Sequence, residues 1–394
     1  MNQFAGNHPR RVLFVHADAG LYGSGVSLLE LASRLPHDRY LPLVAIPTEG
    51  PLVEALRARQ VEVVVFPFGA LRRTFRPDHL AAIAWHHVTG AARLARLIRT
   101  HNVALVHTNT THVLSGAVAA RRTHRPHLTH IRENILSPEI LARMLAQFVW
   151  SSSDHLIAIS HATATDFLGP RGTDPKVRVI YNGVDLQAFQ SNLSPPEARM
   201  ALHWPIDEPH IGIMARLAPW KGHQVFLDAA AQVTAAHPSA CFAIIGDADT
   251  RHNERYKFTL QTRAEQLGLA SRLRWTGFVT PVQPLLAALD IVVVPSIRPE
   301  PFGRTVIESM AMTRPVVASN HGGPPEILSE GGGILVPPGD AGALARALLS
   351  LLHDANARIQ MGHAGREQVL RRFDIDAHVA AVIAFYDEIF SQRG

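Results

Sequence analysis

Four ionisable residues in the second half of this 394-residue chain are spaced as if to grip an anion and a set of hydroxyls. Arg216 and Lys221 stand in RLAPWKGH, and Glu300 and Glu308 in PEPFGRTVIESMAM. A guanidinium and an ammonium brought to one place neutralise a diphosphate and stabilise charge on a departing group. Two carboxylates, acceptors only when ionised, suit the hydroxyls of a sugar or a ribose. Lys221 is one of only three lysines, beside Lys176 and Lys257, so its presence in an arginine-rich chain is not background composition. An isolated helix glutamate is more often a solvated one, but the loop before Glu308 counts against that reading. Gly303 lets the backbone approach a ligand closely, just before a helix expected from about Arg304 whose free amides suit a phosphate. The glycine pair Gly322 and Gly323 in SNHGGPPEIL permits a second close approach, or equally a tight turn after a strand.

Residues so far apart in sequence need a scaffold that returns to one edge. Short apolar runs, VLFVH, LPLVAI, VEVVVFPF, ALVHTN, HLTHI and HLIAIS, alternate with stretches such as SLLELASRL whose apolar residues fall three and four apart. That is the pattern of buried parallel strands and crossover helices. A second series, HIGIMAR, ACFAIIG, RLRWTGF, IVVVPS and PVVAS, follows the Pro/Ser-rich stretch SNLSPPEARM. The fold class expected is α/β, with two Rossmann-like doubly wound domains facing across a cleft, divided into residues 1–195 and 196–394. The amphipathic terminal segment, from about residue 375, is a candidate to pack back on the first domain.

The order of RLAPWKG, EPFGRTVIE and GGPPEIL resembles the retaining glycosyltransferases of the GT-B fold, family 4 type, with VIYNGVD similar to that family's interdomain segment. The resemblance implies a hexosyltransferase that moves a sugar from a UDP- or GDP-sugar to a hydroxyl of a glycan or lipid-linked acceptor, in polysaccharide or glycolipid biosynthesis. It implies Arg216 and Lys221 on the donor diphosphate, Glu308 on the ribose and Glu300 on the donor sugar. The backbone of Phe302, Gly303, Arg304 and Thr305 is implied at sugar hydroxyls and phosphate, and Phe278 and Val279 at the base. No cofactor beyond the nucleotide sugar and no metal are expected, since the cationic pair performs a metal's electrostatic task.

In the first half, HADAGLYGSG places Gly20, Gly23 and Gly25 in the order G-x-x-G-x-G. This fails the G-x-G-x-x-G spacing of a dinucleotide site. In the resembled family a glycine loop here faces the donor, and Gly23 and Gly25 are both candidates for the contact. His130, at the end of the strand HLTHI, is the candidate for the histidine that the family places near the reacting carbon. Asn109, within HTNTTH, is a candidate at the acceptor, and Arg132 a candidate at the acceptor or at a phosphate.

Charge divides unevenly, with 20 basic and 13 acidic residues up to Pro195 against 18 and 20 after it. A basic first half points to an anionic partner. Arg72, Arg73 and Arg76, with Arg93, Arg96, Arg99 and Trp85, form a stripe compatible with an anionic membrane surface or with plain solvation. No nucleic-acid-binding module accompanies the charge, and nucleic acid is not an expected partner. One cysteine, Cys241, excludes an internal disulfide framework. Neither a secretory leader nor an uncharged apolar run long enough to span a bilayer is recognisable, so the expected location is cytoplasmic, or peripheral on the cytoplasmic membrane face. Three rival readings are a metal-dependent transferase using Asp247 and Asp249, a sugar-nucleotide epimerase, and a non-catalytic nucleotide-sugar sensor.

Overall fold

The computed structural model describes residues 8–71, 77–134, 138–190, 193–248 and 250–392. Arg72, Arg73, Arg76 and Asp249 lie outside them. The chain forms two compact units, one of residues 1–182 with 376–394 and one of residues 183–375.

The first unit carries a seven-stranded, wholly parallel sheet of β1 (Arg10–Val15), β2 (Tyr40–Ile46), β3 (Glu62–Val65), β4 (Val103–Thr108), β5 (His127–Ile131), β6 (His155–Ala158) and β7 (Val177–Val179), in the order β3-β2-β1-β4-β5-β6-β7. The inner strands are buried on both faces, as helix-covered parallel strands require, while the edge strands β3 and β7 are only partly covered; Val12, Leu13, Phe14 and Val15 are all inaccessible to solvent. The last helix, Ile375–Ser391, joins this core, its Val379, Val382, Tyr386 and Ile389 packing with Val12, Phe14, Leu28 and Tyr40.

The second unit has a six-stranded parallel sheet of β8 (His210–Met214), β9 (Cys241–Ile245), β10 (Leu273–Gly277), β11 (Ile291–Val294), β12 (Val316–Ser319) and β13 (Gly333–Val336), in the order β10-β9-β8-β11-β12-β13. Its core gathers Ile211, Ile213, Phe226, Phe242, Ile244 and Val293 around the sheet.

The division falls between Asn182 and Gly183, not after Pro195. The stretch after Gly183 is tied to the second unit by backbone: Val184 N donates to the Phe373 carbonyl at 2.9 Å, and Ile375 N donates to that of Val184 at 3.1 Å. The Pro/Ser-rich stretch is no linker, for it opens the helix Pro195–Ala201, whose Ser194 and Glu197 form a reciprocal capping box. Two strands were not anticipated. β7 has three residues and β13 opens on the last of three glycines, leaving only Ile334, Leu335 and Val336 beyond it, too short a run in each case for a period to register.

Candidate functional site

In each sheet the strand order reverses beside the first strand of its unit, between β1 and β4 and between β8 and β11. Helices then leave on opposite faces, and the carboxyl ends of the two strands open a crevice. The sequence candidates collect at these ends.

In the second unit, Arg216 follows β8 and is exposed, its neighbouring backbone fixed by Ala215 N to the Ile245 carbonyl (2.9 Å) and Leu217 N to that of Asp247 (3.0 Å). Lys221 closes the short 3-10 turn Pro219–Lys221. Gly222 next to it has φ of 78°, and a Cβ there would fall 1.9 Å from the Pro295 carbonyl oxygen. Only glycine lets this turn lie directly on the end of β11. Trp220 accepts a backbone hydrogen bond from Ile297 at 2.8 Å, and its ring centroid lies 4.1 Å from the Lys221 ammonium.

Lys221 Nζ donates to both Glu300 oxygens, at 2.9 and 2.7 Å, and Ser296 Oγ donates to Glu300 Oε2 at 2.9 Å. Glu300 is itself held from behind. Gly322, with φ of 70°, forms an isolated parallel bridge with it, and a Cβ at Gly322 would meet the Glu300 carbonyl oxygen at 2.2 Å. Gly323 N donates to that same carbonyl at 2.8 Å, while His321 Nε2 lies 2.7 Å from the Ser296 carbonyl. The glycine pair is therefore a brace behind Glu300 more than a ligand loop of its own.

The helix Arg304–Ala311 starts from Gly303, whose φ is 106° and which offers no side-chain cap. Its leading amides carry partial positive charge towards the pocket formed by Met214, Lys221, Ser296, Glu300, Gly303 and Thr305. Phe302 contributes only backbone, because its ring is buried edge-on to Phe373. Thr305 Oγ1 donates to the Met214 carbonyl at 3.2 Å, joining helix start to strand end. Glu308, one turn along, pairs with Arg304 at 2.9 Å, both side chains largely buried. Phe278 and Val279 follow β10, two strands from β8, and the Phe278 ring is 59% exposed. Asp247, half of the metal reading, is engaged by Lys257 at 2.7 Å, which together with the Ala248 amide holds its carboxyl below the usual range although burial opposes this.

In the first unit, the helix Gly23–Ser33 begins at Gly23, which is exposed, whereas Gly25 is buried with its Cα against the Gly20 carbonyl. Gly23 is thus the glycine available to a ligand. Asn109, after β4, is fully buried; its Nδ2 lies 3.3 Å from the Ser24 carbonyl and 3.2 Å from His16 Nδ1. Arg132, after β5, is 6% exposed and points inward. Its Nε donates to Asn109 Oδ1 (3.1 Å), Nη1 to Asn182 Oδ1 (2.8 Å) and Nη2 to His130 Nδ1 (3.2 Å). Asn109 and Arg132, expected at the acceptor, are as enclosed as His130, and their polar atoms are turned towards one another. Burial, with Arg132 adding to it, pushes His130 well below the ordinary histidine range. The His130 ring stacks on His107, at 5.5 Å, whose Nδ1 lies 2.6 Å from the Tyr386 hydroxyl of the last helix.

No site role was read in the sequence for Ser296, Trp220, Asn182 or Tyr386, although Asn182 lies within VIYNGVD, the segment likened to an interdomain one. On the helix Pro77–Thr100, Trp85 is 67% exposed and Arg93, Arg96 and Arg99 are exposed. Among the described residues no helix is long and apolar enough to cross a membrane.

Two family models match, Glycosyl transferases group 1 over residues 196–368 and Glycosyltransferase Family 4 over residues 22–188. A D-inositol 3-phosphate glycosyltransferase of Corynebacterium urealyticum is 30% identical over 82% of this chain and 80% of its own length. The lipopolysaccharide core biosynthesis mannosyltransferase LpsB of Rhizobium meliloti is 28% identical over 62% of this chain and 68% of its own. Among solved structures, Anabaena HepE in complex with UDP-glucose superposes with a TM-score of 0.83 at 27% identity, covering 96% of this chain and 99% of that one. The chain belongs to the group 1 glycosyltransferases, of the GT-B type.

Proposed function

We propose that the protein transfers a hexose from a UDP- or GDP-sugar to a hydroxyl of a glycan or lipid-linked acceptor, with retention of anomeric configuration and without a metal. The observation that carries this reading is the Lys221–Glu300–Ser296 cluster facing the helix start at Gly303 across one pocket. It sets a cation and oriented amides where a pyrophosphate would sit, and a carboxylate where sugar hydroxyls would sit. The UDP-glucose bound by HepE supports a nucleoside diphosphate donor, and the inositol phosphate and lipopolysaccharide-core relatives support a glycolipid acceptor.

Lys221 and Arg216 would take up the charge that grows on the diphosphate as the C1–O bond breaks. Glu300 would orient the donor sugar, Glu308 the ribose, the Phe278–Val279 segment the base, and His130 Nε2 a hydroxyl near C1. The acceptor oxygen would bond C1 from the face that the diphosphate leaves, and its proton would pass to the departing phosphate oxygen. Such a step needs no enzymic base of the inverting kind, so the protein's task is orientation and charge stabilisation. A donor held by the folded state raises the melting temperature, so UDP- and GDP-sugars are to be screened by thermal shift. Transfer is then followed by NMR of the product anomer in the presence of a chelator. An inverted product, loss of activity with the chelator, or donor turnover without transfer would each overturn the corresponding part.

A further inference from the structure

The proposed role of His130 requires a hydrogen-bond donor at Nε2, and an imidazole can present either tautomer. We propose that Arg132 is a positioning residue that fixes His130 in its neutral Nε2–H form, and that Asn109 and Asn182 exist at this site to aim the guanidinium. The inference rests on the reading of His130 given above but not on its chemistry.

The geometry leaves little choice. A guanidinium has five N–H donors and no acceptor, so the contact of Arg132 Nη2 with His130 Nδ1 at 3.2 Å can form only if Nδ1 carries a lone pair. The neutral ring then bears its proton on Nε2. That atom is buried and makes no hydrogen bond among the described residues, leaving one donor uncommitted at the carboxyl end of β5. Arg132 cannot swing away, since Nε and Nη1 are held by Asn109 and Asn182, and Asn182 Oδ1 also accepts from Ser27 Oγ at 2.9 Å. Two elements beyond β5 are recruited through the asparagines, the end of β4 and the segment after β7.

The charged and titratable groups facing His130 are Arg132 from its own segment, His107 from β4 and His378 from the last helix. Burial, Arg132, His107 and His378 all disfavour a second proton, and no carboxylate among the described residues counters them. Arg132 therefore does two things through one contact: it selects the tautomer and it repels the proton that would abolish it. Lysine at 132 would keep the charge but cannot reproduce the three-way fork.

The test uses the full chain labelled with 15N-histidine. The His130 resonances are assigned by their loss in His130→Asn, and long-range 1H–15N correlations report which nitrogen bears the proton. Wild type is expected to show a neutral Nε2–H imidazole well below the ordinary histidine range; an Nδ1–H ring, or protonation near the ordinary histidine value, overturns the inference without any variant. In Arg132→Met protonation should move up by about one pH unit or more. There kcat should fall about tenfold or more with donor KM nearly unchanged, and an acid limb should enter the pH–rate profile, with Arg132→Lys restoring the profile only in part. An unaltered tautomer and pH profile in Arg132→Met overturns it. If Arg132→Met does not fold, Arg132→Lys and Asn182→Ala are read by the same two signals, and an unchanged His130 in both overturns the proposal. Should no nucleotide sugar be a donor, the proposed function fails while the imidazole state still decides this inference.

Discussion

The two units share a strand order around their switch points, yet furnish the carboxyl ends of their sheets in opposite ways. The first holds a dry, charge-poor network in which His16, His107, Asn109 and His130 are fully buried and Arg132 is the cation among neutral partners. The second holds ion pairs that remain partly wet, Lys221 with Glu300 at 18% and 11% side-chain exposure and Arg304 with Glu308 at 14% and 13%. A buried neutral network keeps one geometry, because each unmade hydrogen bond costs the full desolvation of its group. A partly exposed pair can exchange its partner for a ligand, since water covers part of the cost. Loss of one residue should therefore strike turnover in the second unit and stability in the first.

The largest expected effect tests that contrast directly. Lys221→Ala should lower turnover on the order of a hundred- to a thousandfold, the scale of removing one preorganised charge from a transition state. The shift in melting temperature should be no more than a few degrees. Arg216→Ala, at an exposed residue, should move stability even less. Steady-state transfer and calorimetry on both variants check this, and unchanged rates in both would remove the basis of the assignment.

How much of this was legible beforehand follows from the range of the interactions. Strands in a helix-covered sheet appear as apolar runs, so eleven of the thirteen announced themselves; β7 has three residues and β13 only three beyond its opening glycine, and neither carries a period. Lys221, Glu300 and Gly303 could be picked out because one loop or one helix start presents each. Arg132 was visible as a charge beside His130, but its inward course was not, since Asn109 and Asn182 reach it from other strands. The brace of Gly322 behind Glu300 was equally hidden, as it depends on the approach of two separate loops. The division between Asn182 and Gly183 falls inside VIYNGVD, the segment likened to an interdomain one, and ahead of Pro195, because proline and serine mark the start of a capped helix as readily as a linker.

The glycines sharpen the comparison at the next level of effect. Gly322→Ala forces a Cβ to within 2.2 Å of the Glu300 carbonyl at a φ of 70°. Gly268 has the same φ of 70° with nothing within 4 Å of an added Cβ. Gly268→Ala should therefore lose only the backbone strain, about 1 kcal/mol, with normal kinetics. Gly322→Ala should lose about 2–4 kcal/mol and, by displacing Glu300, at least about tenfold in turnover. Denaturant unfolding and transfer rates separate the two; equal behaviour would mean that Glu300 is not braced from behind.

Acid should act more strongly on the first unit. Burial holds His16 and His127 down to about 4 and also depresses His107 and His130 well below the ordinary histidine range, whereas the second unit has His223, at about 4, and His210, lowered too. Unfolded histidines protonate near 6.5, so between about pH 6.5 and 4 the unfolded chain binds more protons than the folded one. Stability is then fully present above about pH 6.5 and drains as the pH falls towards 4, each buried histidine adding its share. Amide hydrogen exchange at the two ends of this window should show β1, β4 and β5 losing protection before β8, β9 and β11. Parallel loss in both units would break the contrast.

The smallest effect concerns the pair that looks most like ordinary helix decoration. Arg304 and Glu308 are one turn apart, and such a pair contributes about 1 kcal/mol or less to stability. Glu308→Gln keeps the volume and one acceptor oxygen but loses the charge. If Glu308 serves only the helix, nothing beyond that small stability change should follow. If it exchanges Arg304 for the ribose hydroxyls, donor KM should rise about tenfold while kcat stays close to wild type, because the ribose is held equally in ground and transition states. A donor analogue lacking the ribose hydroxyls should then lose its discrimination between wild type and variant, the one outcome that a purely structural pair cannot produce.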